Sequence, residues 1–181
     1  MIKTSKSLVI LLLLLSLFLL NSCNSKVEEN FESVIIDSVI DGDTVRLSSG
    51  EKIRIIGINT PEKDKEKLGK EAHTYVKDLI EGKKVYLEKD KSDRDQYERL
   101  LRYIWIEIPK ELSKKEIETK NLSAILLKKG YARKYTFEPD IKYENIFQEI
   151  ENEARIEETG MWEINKNGTT RGDKLNVQLQ F

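Results

Sequence analysis

The chain has a single cysteine, Cys23, and a single histidine, His73, among 181 residues. One cysteine excludes an internal disulfide and cysteine-based zinc sites, and one histidine excludes two-His metal motifs. Excess positive charge is also missing: 31 Lys and Arg face 32 Asp and Glu, so the formal net charge is −1. Bulk electrostatics therefore do not mark a nucleic-acid binder, and any phosphate recognition has to be local. What remains for chemistry is carboxylates, Arg, Lys, Tyr and a metal.

Long apolar runs are missing except at the start. Lys3 and Lys6 precede an apolar stretch over residues 8–20, broken only by Ser16. The stretch is short for a membrane span, and its basic flank fits an export signal. It ends at Leu20-Asn21-Ser22-Cys23, which resembles a bacterial lipoprotein signal, cut before a cysteine that is then acylated. Asn21 stands where a small residue is common, and an ordinary secretion signal with an incidental cysteine is the alternative. The expectation is a signal peptide over residues 1–22, a tether over 23–31, a domain over 32–162 and a C-terminal tail over 163–181. Lipidation at Cys23 would make the chain an exported, membrane-anchored bacterial lipoprotein on the extracytoplasmic side, acting as a monomer. Without the signal and its two lysines, 159 residues with a charge close to −3 remain, enough for one core.

Residues 31–40 are rich in β-branched side chains and read as a strand. Asp41-Gly42-Asp43 is a turn, and residues 44–47 and 52–57 alternate as two further strands joined through Ser49-Gly50. Residues 84–88 and 100–108 supply a fourth and a fifth strand. Helical spacing is expected over 71–80, over 121–129, and along Tyr143, Phe147, Ile150, Ala154 and Met161, with Trp162 capping that packing. Residues 109–119 read as a polar excursion. Residues 163–181 end in an alternation through Leu175, Val177, Leu179 and Phe181, either an added strand or a loose tail. The fold class is α+β, mainly β: a five-stranded OB-type barrel with about three covering helices.

The chemistry clusters in three short pieces. Asp43 and Asn59 lie at strand ends that the intervening hairpin brings together. A hard cation takes carboxylate, amide and carbonyl oxygens, which Asp43, Asn59 and the Thr60 carbonyl offer. Glu62, fixed behind Pro61, is placed to deprotonate a water. Lysine outnumbers arginine, yet positions 54 and 99 are Arg, whose planar fork suits a phosphate. Each has a plainer alternative: a hairpin turn for Asp41-Gly42-Asp43, a surface acid for Glu62, and salt bridges to Asp41, Asp95 or Glu98 for the arginines.

Taken in order, Asp41-Gly42-Asp43-Thr44, Arg54 to Glu62 with its Gly-Ile-Asn-Thr-Pro-Glu end, Asp95-Gln96-Tyr97-Glu98-Arg99 and Gly130-Tyr131-Ala132 resemble the staphylococcal nuclease family, across about residues 34–162. The resemblance implies an OB barrel and Ca²⁺-dependent cleavage of DNA and RNA. It implies Asp43, Asn59 and Thr60 as metal ligands and Glu62 as general base. Arg54 and Arg99 would stabilise the transition state, with Tyr97 and Tyr135 beside the nucleotide. Three positions depart from that pattern. Asn59 stands for an Asp, which removes a negative charge from the metal site. Glu98 stands for a Gly before the active Arg, and Phe137 for a Tyr. Two other readings remain: a non-catalytic nucleic-acid-binding barrel that keeps the anchor, and an anchored protein-interaction module.

Overall fold

The computed structural model of the chain describes residues 30–65 and 67–168. The signal segment 1–22, Cys23, most of the tether and the alternation from Leu175 to Phe181 lie outside the described residues.

Ten residues of largely β-branched and small polar type form β1, Glu32–Asp41. This length lets one strand serve two neighbours. Its first half pairs antiparallel with β5 (Lys84–Glu88), and its second half pairs antiparallel with β2 (Thr44–Leu47). Two register irregularities, between Ile36 and Ser38 and between Val39 and Asp41, bend the strand between those partners, as bulges do. β2 turns through Gly50, at φ 89°, into β3 (Lys52–Ile55). β3 pairs parallel with β6 (Leu100–Trp105), and β6 pairs antiparallel with β5. The order β1-β2-β3-β6-β5 closes into a barrel, so none of these five strands is left as an open edge. Ile36, Val45, Ile53, Ile55, Val85, Leu87 and Ile104 fill its interior, all essentially buried.

The expected strand over 52–57 is two strands. The backbone breaks at Gly57, whose φ is 87°, and resumes as β4 (Gly57–Asn59). A Cβ at Gly57 would lie 2.4 Å from the Phe147 ring, so both conformation and packing require glycine there. β4 leaves the barrel and pairs with β7 (Arg133–Tyr135), a strand the sequence reading did not anticipate. The fifth strand also stops at Trp105, earlier than the expected residue 108.

Five helices are present among the described residues, where about three were expected. The three expected ones are α1 (Lys67–Ile80), α3 (Leu122–Lys128) and α4 (Glu144–Ile156). α2 (Lys114–Lys120) replaces part of the expected polar excursion: Ser113 caps it through the Glu116 amide, and only Ile117 is buried. That single apolar contact is why hydropathy did not announce the helix, although Ser113-x-x-Glu116 is a capping pattern. Met161 does not continue α4. The chain turns through Glu158 and Gly160, at φ 51° and 61°, and Met161–Ile164 forms a separate short α5. Trp162 is buried there, with the Arg155 guanidinium 3.8 Å from its ring centre.

Candidate active site

The β1–β2 turn brings Asp43 against the end of β4. Gly42 makes this possible, because a Cβ there would lie 2.8 Å from the Thr60 side chain. Asp43 is nearly buried. Its Oδ2 accepts from the Thr60 amide at 3.2 Å, and its Oδ1 accepts from the Thr44 hydroxyl at 2.9 Å. These contacts orient the carboxylate and leave it few alternatives. Asp41, on the same turn, has its carboxyl pushed above the usual range, first by burial and then by the charge of Asp43, against the lowering hydrogen bond from the Gly42 amide.

Arg54 projects from β3 into this corner. One nitrogen, Nη2, donates to the Ile58 carbonyl at 2.7 Å and lies 3.4 Å from Asn59 Oδ1 and 3.5 Å from Asp43 Oδ2. Both side-chain oxygens therefore face one point. The donors there are a carboxylate and an amide oxygen, with the Thr60 backbone adjoining. Oxygen-only donors of this kind fit a hard cation, though with a low charge count. Among the described residues no cluster of three or more Asp, Glu, His or Cys side chains is close enough to hold a metal, so any cation site here rests mainly on neutral oxygens.

Arg99 immediately precedes β6. Its Nη1 lies 3.5 Å from Thr44 Oγ1, the same hydroxyl that donates to Asp43. Its Nε donates to Asp95 Oδ2 at 2.7 Å, and Nη2 lies 2.6 Å from the same oxygen as an ion pair. Burial would raise the Asp95 carboxyl, but hydrogen bonds from the Arg99 side chain and from the amides of Arg99 and Tyr97 hold it below the usual range. Of the salt bridges considered from sequence, Arg99–Asp95 is present. Arg54 pairs with Asp43, which was not among them. Both guanidinium groups reach the Asp43 pocket, one directly and one through Thr44. Thr44 and Asp95 were not singled out as site residues, although both belong to the motifs.

Glu62 follows the buried Pro61, two residues after Thr60, and its Oε2 pairs with Lys65 Nζ at 2.5 Å. The start of α1 presses on this loop: a Cβ at Gly69 would sit 2.4 Å from the Glu62 carbonyl. Glycine at 69 thus lets the helix fix the Pro61-Glu62 backbone.

A cavity of about 460 Å³ extends from the two arginines and is lined also by Tyr97, Tyr135 and Phe137. Tyr97 is 70% exposed and lies over Arg99, 5.4 Å from ring centre to guanidinium carbon. Tyr135 and Phe137 meet edge to face at 4.4 Å. The expected aromatic residues thus share one cavity with the expected arginines.

Glu98 sits at φ 61°, in the left-handed region that glycine occupies freely and other residues reach at a cost. It is exposed, and its carbonyl accepts from Arg94 at 2.9 Å. Glu98→Gly is expected to stabilise the fold by about 1 kcal/mol through relief of this strain. Urea unfolding checks this, and an unchanged midpoint would show that the turn carries no strain.

Residues 52–164 match the family described as staphylococcal nuclease homologue. Endonuclease YncB of Bacillus subtilis (strain 168) is 33% identical over 159 residues, covering 82% of this chain and 70% of that protein. The SPbeta prophage-derived endonuclease YokF of the same strain is 34% identical over 149 residues, covering 77% of this chain and 47% of YokF, so the chain spans about half the length of that relative. The thermonuclease of Staphylococcus intermedius is 30% identical over 140 residues, covering 73% and 77%. A closed five-stranded barrel, a polar corner between β1, β3 and β4, and these similarities together place the chain in the staphylococcal nuclease family.

Proposed function

We propose that this nuclease hydrolyses phosphodiester bonds of DNA or RNA with Ca²⁺ held by Asp43, Asn59 and the Thr60 carbonyl. The observation that carries this reading is the convergence of the Arg54 and Arg99 guanidinium groups on the Asp43 corner. When bound, Ca²⁺ supplies positive charge to a phosphate oxygen and lowers the pKa of a neighbouring water. Glu62 takes the proton from the attacking water, and the Lys65 contact at Oε2 has to yield if that oxygen is the one used. Arg54 and Arg99 donate to the equatorial phosphate oxygens, where charge accumulates as the bond to the leaving oxygen breaks. Asp95 holds the Arg99 fork from behind, so that its Nη1 side remains toward the pocket. Tyr97 and Tyr135 stack against bases. The endonuclease names of YncB and YokF support cleavage within a strand.

Asn59 supplies an oxygen but no charge. Asn59→Asp is expected to tighten Ca²⁺ binding about tenfold, since affinity at such sites follows the count of charged ligands. Calorimetric titration with Ca²⁺ measures this, and superimposable curves for both chains would remove Asn59 from the ligand set.

The basic start, the apolar residues 8–20 and Cys23 support export followed by lipid anchoring on the extracytoplasmic face, with the nuclease domain held near the membrane. Cys23→Ser should move the protein from the membrane fraction to the soluble extracytoplasmic fraction, and retention in the membrane would contradict the anchor.

A further inference from the structure

The outer face of the β2–β3 hairpin carries two cations that no other side chain engages. Val45 and Leu47 of β2 and Ile53 and Ile55 of β3 fill the barrel, so Thr44, Arg46, Lys52 and Arg54 lie on the outer face. The register sets Thr44 opposite Arg54 and Arg46 opposite Lys52. Arg46 and Lys52 are exposed, and neither has a hydrogen bond or ion pair among the described residues. Neither lines the cavity beside Arg54 and Arg99. The helices make their main strand contacts with β1, β4, β6 and β7, which leaves this face of the hairpin open. The acids around it are committed elsewhere. Glu51 pairs with Arg94 and Asp95 with Arg99, and Glu98 adds its charge to that facing Arg94. Asp37 accepts from the hydroxyl of Ser38, the cross-strand neighbour of Arg46, at 3.1 Å. Like charges directly opposite each other destabilise a sheet. The Arg46–Lys52 pair therefore costs the free protein stability, and a bound anion cancels that cost.

The place of the pair selects the anion. Two residues along the hairpin separate it from the Thr44–Arg54 pair, a step of about 6–7 Å that one sugar spans between successive phosphates. Lys52 and Arg99 each stand one residue before the parallel Ile53–Leu100 pair, so Lys52 lies between Arg46 and Arg99. We propose that Arg46 and Lys52 bind the phosphate next to the reacting one, and so lead a single polynucleotide strand over the outer face of the β2–β3 hairpin. The proposal rests on the phosphodiesterase reading above, which places the reacting phosphate at Arg54 and Arg99. It adds a contact outside the cavity, made to the backbone of the strand and indifferent to its bases.

The test is fluorescence anisotropy of a labelled octathymidylate, titrated in Ca²⁺ at several salt concentrations with the full chain carrying Glu62→Gln to slow cleavage. Adding Arg46→Thr and Lys52→Thr is expected to weaken octamer binding about tenfold, the loss of one charge-assisted phosphate contact. It should also flatten the slope of log affinity against log salt by about 0.7, the share of one phosphate on a single strand. Thymidine 5′-monophosphate has no second phosphate and should bind both chains within about twofold. The unfolding midpoint should hold or rise, because the like-charge pair is gone. Lys110→Gln with Lys115→Gln, at two exposed lysines beyond the Trp105 end of β6, makes the same change of net charge and should leave octamer binding within about twofold. An unchanged salt slope overturns the proposal. So do equal losses for octamer and monophosphate, an equal loss in the lysine control, a loss that comes with a lowered midpoint, or no octamer binding by any chain. Octamer cleavage by the chain with Glu62 intact separates the two readings. Cleavage with an unchanged slope sinks only the second phosphate contact, and the expected slopes without cleavage sink the hydrolytic reading instead.

Discussion

Glu62→Gln is expected to lower the rate of oligonucleotide cleavage by about 10²- to 10⁴-fold, the usual contribution of a positioned general base. The substitution keeps the shape of the side chain and removes its ability to take a proton. Its neighbourhood favours a clean result: Pro61 is buried, α1 closes on the Glu62 carbonyl at Gly69, and the Glu62 side chain is only partly exposed. The backbone is therefore held by contacts the substitution does not touch, and thermal unfolding should move little. Arg99→Ala should cost a similar factor, about 10²- to 10³-fold, by removing a donor to the developing charge. It also leaves Asp95 without its main partner, so it should destabilise slightly as well. Arg99→Lys separates the two effects: a lysine restores the charge and not the fork, so it should recover stability more than rate. Full activity in Glu62→Gln, with Ca²⁺ present, would remove Glu62 from the proton transfer.

The second large effect is expected far from the reacting atoms. Glu88 is only 2% exposed, and it accepts from Trp105 Nε1 at 2.9 Å and from the Tyr143 hydroxyl at 2.9 and 3.1 Å, while Lys142 pairs with it from the rim. Burial, with the charge of Glu88 adding to it, pushes the Tyr143 phenol well above its usual range, so it stays a donor across the working pH range. The residue thus ties β5 and β6 to the segment that leads into α4. Asp90 extends the tie, accepting from the Lys142 amide at 2.9 Å and the Tyr103 hydroxyl at 3.3 Å. Glu88→Ala strips a buried set of donors of its acceptor and should cost about 3 kcal/mol, toward the lower end for breaking a buried pair because Lys142 keeps some solvent. For a domain of this size that is a fall of roughly 6–12 °C in the unfolding midpoint. Tyr143→Phe removes one donor and leaves the others, so about 1 kcal/mol is expected. A midpoint for Glu88→Ala within about a degree of the unaltered chain would show that the network contributes no net stability.

The barrel was legible in the sequence because its strands carry the periodic burial that makes a closed sheet. Val45, Leu47, Ile53 and Ile55 face inward in alternation, and the reading over 44–47 and 52–57 follows them. What escaped was carried by single contacts or by backbone conformation. β7 is Arg-Lys-Tyr, with a buried arginine where a strand pattern would show an apolar residue. α2 buries one side chain, and the break between α4 and α5 leaves the spacing of Ala154 and Met161 intact while the chain reverses. The site was legible to the extent that its residues fall in short motifs near strand ends: Asp43, Arg54, Asn59, Thr60 and Arg99 do meet. The roles of Thr44, as the hydroxyl between Asp43 and Arg99, and of Asp95, as the brace behind that guanidinium, are matters of distance and could not be read from spacing. Glu98 illustrates the converse. Its departure from a glycine position was visible in the sequence, and the left-handed backbone that makes the departure costly is visible only in the structure.

Cleavage of a labelled oligonucleotide by the unaltered chain and by Asp43→Ala, each with millimolar Ca²⁺ and with a chelator, tests the central claim most directly. The expected result is cleavage only by the unaltered chain and only with Ca²⁺, with Asp43→Ala inactive at Ca²⁺ levels that saturate the unaltered protein. Salt-dependent binding of the oligonucleotide with no cleavage under any of these conditions would contradict the account and establish a barrel that holds nucleic acid without cutting it.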